Sequence, residues 1–199
     1  MKKICFLILA ALISTAAAMA QTAKSVLDKA AANITVKEGV KANFRMVGGI
    51  GNASGTILIK GKKFHATTPK ATVWFDGKTM WTYMKDNEEV NVSNPSEAQL
   101  QTINPYNFIN LYKNGYTSTL NTTGNAYVVH LTSTAKNKKI KELFITIDKQ
   151  SYHPTQVKLL QGKSWTEFNI SNLSKSKIAD SEFRFNAKDF PKAEVIDLR

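Results

Sequence analysis

The sequence predicts a mainly β fold: one curved antiparallel sheet or barrel of roughly ten or eleven strands, with two helices against it. Three observations predict it. From residue 40 onward the apolar residues recur with a period of two. Turn-forming residues interrupt that period at short, regular intervals. Only 22–33 and the stretch from Asn104 to Gly115 carry helical spacing instead.

The first twenty residues have the three-part pattern of an export signal. Lys2 and Lys3 form a positive start, Ile4 to Ala18 is an apolar run, and Ala18-Met19-Ala20 is a small-x-small cleavage site. The run is too short for a membrane-spanning helix. The expected product begins at Gln21, a single domain over 21–199, exported and soluble without a lipid anchor. Losing Lys2 and Lys3 takes the formal net charge from +12 to +10. Cys5, the one cysteine, leaves with the signal, so disulfides, thiolate catalysis and Cys-ligated metals are excluded from the processed chain. Its own core must stabilise it.

Residues 22–33 read as an amphipathic helix with Thr22 as N-cap and Gly39 at the exit. Val40 to Val47 alternates, with Ala42, Phe44 and Met46 on one face. Ser54 to Lys60 follows, with Ile57 and Ile59 facing one way. Phe64 to Thr67, Thr72 to Phe75, Thr79 to Met84 and Glu89 to Val92 are the next strands. Asp76-Gly77 between two aromatic-rich strands is the strongest hairpin signal in the chain. Pro95 to Leu100 fits one helical turn; Asn104-Pro105 then opens a helix whose apolar side is Phe108, Ile109, Leu111 and Tyr112. The remainder is strand: Tyr116 to Asn121, Ala126 to Ser133, Ile140 to Asp148, Thr155 to Gln161, Trp165 to Ile170, Ser181 to Phe185 and Glu194 to Leu198.

Little in this chain suggests catalysis. His65, His130 and His153 are too far apart in sequence to suggest a metal pair, and neither HExxH nor GxSxG occurs. His130 alternates with Val129 and Leu131, so it reads as an outward polar residue. The expectation is a binding protein, not an enzyme, with no cofactor and no metal. The lysines are spread without the basic–aromatic interleaving of an RNA-binding sheet, so no nucleic-acid partner is expected. If the charge serves a partner, an anionic membrane surface fits best. The aromatics say more. Val73-Trp74-Phe75 is large and apolar at every position, so its strand needs cover on both faces. Helices lying against a curved sheet describe a closable apolar cavity.

At residue level the chain resembles the LolA-like family of periplasmic outer-membrane lipoprotein carriers. Trp74 to Tyr83 (WFDGKTMWTY) resembles the family's DGKTxWxY hairpin. The Ala/Leu helix before Ala42-Asn43-Phe44 is similar, as are Gly55 to Lys60 followed by Lys63-Phe64 and Pro69, and Asn104-Pro105 before Phe108 to Leu111. The resemblance implies an unclosed antiparallel β-barrel with two or three helices covering an apolar cavity. It implies a monomeric, non-enzymatic chaperone that takes acylated lipoproteins from an inner-membrane ABC-type lipoprotein-release transporter and hands them to an outer-membrane acceptor. A periplasmic lipid or glycolipid binder, or an envelope sensor domain on the same fold, is the alternative.

The expected acyl cavity draws on Leu27, Phe44, Met46, Ile57, Ile59, Phe64, Val73, Phe75, Trp81, Tyr83, Phe108, Ile109 and Leu111. Where the family carries an Arg after a Lys at the end of the second strand, this chain has Lys60-Gly61-Lys62. A one-residue shift makes Lys62 the candidate lid and release residue, without the planar fork of Arg.

Overall fold

The computed structural model describes residues 22–49, 51–97, 99–100, 108 and 110–199. The expected export signal and its cleavage site, the Asn104-Pro105 helix start and Ile109 lie outside the described residues.

Helix α1 spans Ala23–Ile34, opened by a reciprocal capping box between Thr22 and Ser25. The strands are β1 Val40–Gly48, β2 Ala53–Lys60, β3 Lys63–Thr67, β4 Ala71–Phe75, β5 Met80–Met84 and β6 Glu89–Ser93. After a 3-10 turn at Leu111–Lys113 come β7 Tyr116–Thr123, β8 Ala126–Ser133, β9 Ile140–Asp148, β10 Pro154–Gln161, β11 Ser164–Lys175 and β12 Glu194–Asp197. These twelve strands form one sheet in the order β12-β6-β5-β4-β3-β2-β1-β11-β10-β9-β8-β7. Two meanders therefore meet at the β1–β11 pair. The chain runs outward from β1 to β6, restarts at the far edge with β7, and returns to β11 beside β1. Every pairing is antiparallel except β12 on β6, which is parallel. The architecture is the expected unclosed curved antiparallel sheet; it holds twelve strands where roughly ten or eleven were expected, with the expected terminal strand realised as β12, and one main helix among the described residues.

Three local differences have physical causes. Ser181 to Phe185 is no strand; Asp180–Phe183 is a 3-10 turn, because Phe183 is fully buried against the sheet instead of pairing at its edge. The strand expected over Trp165 to Ile170 continues to Lys175 through a bulge opposite Lys41 and Asn43, where Asn172 takes a left-handed φ of 54°. Of the middle helix, Phe108 is helical and Leu111–Lys113 is 3-10.

The sheet has a separate hydrophobic body on each face. On the concave face, α1 lays Val26, Leu27, Ala30 and Ile34 onto Val129 and Leu131 of β8, Leu143, Ile145 and Ile147 of β9, and Val157 and Leu159 of β10, all in one buried cluster. Tyr112 donates to Asp28, and Asn33 Nδ2 donates to the Ser151 carbonyl at 2.8 Å, pinning α1 across the barrel. On the convex face of β3–β6, residues 178–190 form a strap. Phe183 and Ile178 bury there with Trp74, Val90 and Val92. Phe190 meets Trp74 at 5.5 Å and Tyr83 at 4.7 Å, and Phe185 meets Trp74 at 5.6 Å, in edge or tilted contacts.

Candidate functional site: an apolar cavity in the concave face

The paired strands of the first meander fix which side chains face inward. Across β1–β2–β3–β4 the register sets Ala42 opposite Ile57, Ile57 opposite Ala66, and Ala66 opposite Val73; Ile59 faces Phe64, and Phe64 faces Phe75. Directly opposed residues share a face. One continuous inner row therefore runs from β1 to β4. Phe64 and Phe75 close its floor with ring centroids 5.5 Å apart.

Across the seam, β11 contributes Phe168, Ile170 and Leu173. Ile170 and Leu173 are three residues apart, a spacing that in a regular strand puts side chains on opposite faces. The bulge at Asn172 turns both inward. Ile145, Pro154 and Val157 complete the far wall, and Ile34 of α1 and Phe108 lie over the top. Phe108 leans on Phe168 at 5.6 Å.

These residues line a partly open cavity of about 150 Å³. Every residue named as its lining is apolar. An apolar cavity of roughly this size stays dry and admits a solute the size of benzene. None of the described lining residues can donate or accept through a side chain, so this wall suits hydrocarbon.

The expected site residues fall into four groups. Phe44, Ile57, Ile59, Phe64 and Phe108 line the cavity. Leu27, Phe75, Leu111 and the half-buried Val73 pack in the surrounding concave cluster without lining it. Met46 shares the inward row of β1 but lies past the cavity, in a shallow groove with Arg45 and Asn52. Trp81 and Tyr83 face the opposite way: Trp81 stands across from Trp74 and Val92, Tyr83 across from Val90, all on the convex face under the strap. The inward residues of β5 are Met80 and Thr82, opposite Phe75 and Val73. Sequence reading missed the far wall and its two irregularities: Leu173 stands three residues from Ile170 across the Asn172 bulge, and Pro154 three residues from Val157 across a register shift against β9, so neither pair follows the period of two.

Lys62 sits in the tight β2–β3 turn, outside the cavity. The flanking lysines bind the strap. Lys60 Nζ donates to the Ile178 carbonyl at 2.8 Å, and Lys60 and Lys63 each lie 3.0 Å from a carboxylate oxygen of Asp180. Hydrogen bonds from Lys60, then Lys63, hold the Asp180 carboxyl below the ordinary carboxylate range. At the next hairpin tip Asp76 accepts the Lys78 and Thr79 amides and pairs with Arg184 at 3.2 Å.

His130 does face outward, stacked on Phe144 at 4.1 Å and 3.1 Å from Glu142. Among the described residues no group of three or more His, Cys, Asp or Glu could hold a metal ion, and no helix is long and apolar enough to cross a membrane.

Residues 13–163 match the family described as outer membrane lipoprotein carrier protein LolA. No curated protein matches the chain. Among solved structures it is similar to an uncharacterized conserved protein from Thermus thermophilus, with a TM-score of 0.59 and 12% identity over 89% of this chain and 99% of that one. A LolA superfamily protein from Nitrosomonas europaea gives 0.47 at 12% identity, over 83% and 99% of the two chains. The lipoprotein LppX of Mycobacterium tuberculosis gives 0.44 at 11%, over 79% and 97%. At such identities the Thermus likeness shows a shared fold.

Proposed function

Because the chain belongs to the family of the outer membrane lipoprotein carrier protein LolA, we propose that it is a periplasmic chaperone that carries lipoprotein acyl chains in its concave cavity from the inner to the outer membrane. In this reading 21–199 is one working domain, exported by residues 1–20, that binds and releases cargo without catalysis. Its partners are acylated lipoproteins, an inner-membrane ABC-type release transporter and an outer-membrane acceptor. One observation carries the reading: a cavity whose named lining is apolar throughout, at the seam between two meanders.

The energetics fit a carrier. Each methylene taken from water is worth about 0.8 kcal/mol. A cavity of about 150 Å³ covers only a short stretch of one chain, so loading must widen it. Ile34 and Phe108, the top of the cavity, are the residues that part for cargo. Closure without cargo keeps the apolar wall dry and cheap to maintain, and this leaves the binding free energy moderate enough for release.

Native mass spectrometry of the protein purified from its own cell envelope tests the reading. The expected result is a bound triacylated lipoprotein. A bound phospholipid or glycolipid would replace lipoprotein carriage with lipid binding on the same cavity. An empty mass that persists after incubation with acylated peptide would refute acyl binding altogether.

A further inference from the structure

The strap covers the convex face of β3–β6, and among the described residues no segment lies over the convex face of β8–β11. Two aromatic rings stand on that half. Phe144 carries His130 on one side and meets Trp165 on the other at 5.9 Å. Trp165 is 36% exposed, an unusual position for a tryptophan, and Val47, on the next strand, is 43% exposed. Lys158 Nζ sits 5.0 Å from the Trp165 ring centroid.

Sheet order places three connections side by side at this end: the loop 134–139 before β9, the turn 162–163 between β10 and β11, and the connection that leaves β1 at Gly49. The Gly49 amide donates to the Trp165 carbonyl at 2.9 Å, tying two of them together. Gly48, at φ 136°, has no space for a Cβ, which would lie 2.2 Å from that same carbonyl. The tryptophan thus stands where the end of β1 and the start of β11 are held in close backbone contact. Around it Lys136, Lys139 and Lys163 are exposed. The two carboxylates on this part of the convex face are engaged: Glu142 with His130, and Glu167 as acceptor from Asn169 at 2.8 Å. The rim is cationic, with an indole at its centre.

We propose that this rim docks the protein on a bilayer surface carrying anionic headgroups, with the Trp165 indole at headgroup depth and Lys136, Lys139 and Lys163 facing the phosphates. Charge complementarity selects the occupant, and the exposed Val47 and Trp165 separate a bilayer from a purely polar polyanion. An indole flanked by long basic side chains matches the polarity gradient of a membrane interface. The surface lies on the convex side, so it stands independently of what the cavity holds.

The test is sedimentation of the chain from Gln21 onward with vesicles of phosphatidylglycerol and phosphatidylethanolamine, against vesicles of phosphatidylcholine alone. Binding to the anionic vesicles alone, weakened by salt, is expected. The triple variant K136Q/K139Q/K163Q should bind about 100-fold more weakly, at about fivefold per lysine. Brominated acyl chains should quench wild-type tryptophan fluorescence, and Trp165→Phe should abolish the quenching while leaving Trp74 and Trp81 emitting. Circular dichroism melts identify any variant that fails to fold, and Lys136→Gln alone then supplies the graded comparison. No binding at low salt, wild-type binding by the triple variant, quenching that survives Trp165→Phe, or capture of duplex DNA in place of vesicles would each overturn the proposal.

Discussion

Lys63 of the β2–β3 hairpin and Asp180 of the strap form a 3.0 Å ion pair across 117 residues of sequence. Lys60 shares the same carboxylate. This joint fastens the last part of the chain to the basic hairpin where the family resemblance puts a lid latch. Asp180→Asn should speed proteolytic cleavage within 178–190 while changing the melting temperature little, since the carboxylate is exposed and water screens the pair. The lysines hold the Asp180 carboxyl below its ordinary 3.8. A depressed acid gives stability that is present above that value and lost as pH falls through the lower folded value. The share of strap protection that this ion pair supplies should therefore be lost as pH falls below about 3.8.

Phe183→Ala should be the costly strap variant. The ring is fully buried. Losing it should destabilise the fold by about 3–5 kcal/mol, read from denaturant midpoints. Acyl-probe affinity per folded molecule should stay at the wild-type value, because Phe183 lies on the face away from the cavity. A parallel loss of affinity would mean that the two faces are coupled.

Ala66→Leu should have the opposite profile. Ala66 lines the cavity between Ile57 and Val73, and the new side chain fits into space already empty. It displaces about three ligand methylenes, weakening an acyl probe by roughly 2 kcal/mol, or about thirtyfold. The melting temperature should hold or rise. Titration with a fluorescent fatty acyl peptide, paired with a thermal melt, reads both.

His65 should make stability depend on pH. It lies on the convex face, its ring 5.3 Å from that of Trp74 and its Nε2 3.2 Å from Thr67 Oγ1. Burial disfavours the imidazolium and holds its pKa below 6.5, although the nearby Glu182 pulls the other way. The unfolded chain then binds the proton first, so stability is full above about 6.5 and declines as pH falls below it. His65→Gln should flatten that decline, measured by urea unfolding at several pH values.

Much of this architecture is written in the sequence at the level of strand and face. The alternation of Ala42, Phe44, Ile57 and Ile59 places all four on the cavity wall. Val73-Trp74-Phe75 correctly demands two covers, since Val73 and Phe75 serve the concave cluster and Trp74 the convex one. The second cover is what local pattern cannot reveal. Phe183 and Phe185 alternate as a strand would, yet a sheet face with unmet apolar area captures them first. Trp81 and Tyr83 are legible as buried aromatics, but their side depends on pairing with Trp74 and Val90, a tertiary fact. The Asn172 bulge has no glycine or proline to announce it.

The two-faced sheet works as a partition wall. On one side the aromatic strap is filled and fastened; on the other, the packed cluster under α1 leaves one apolar space open beside it. A protein with a single core that must also hold hydrocarbon faces a conflict, because every gain in packing is a loss of capacity. Here the two demands are assigned to different rooms. In the carrier reading proposed above, the concave cavity exchanges its contents while the strap braces β3–β6 from the other face, so capacity can be tuned by substitution without loosening the strap.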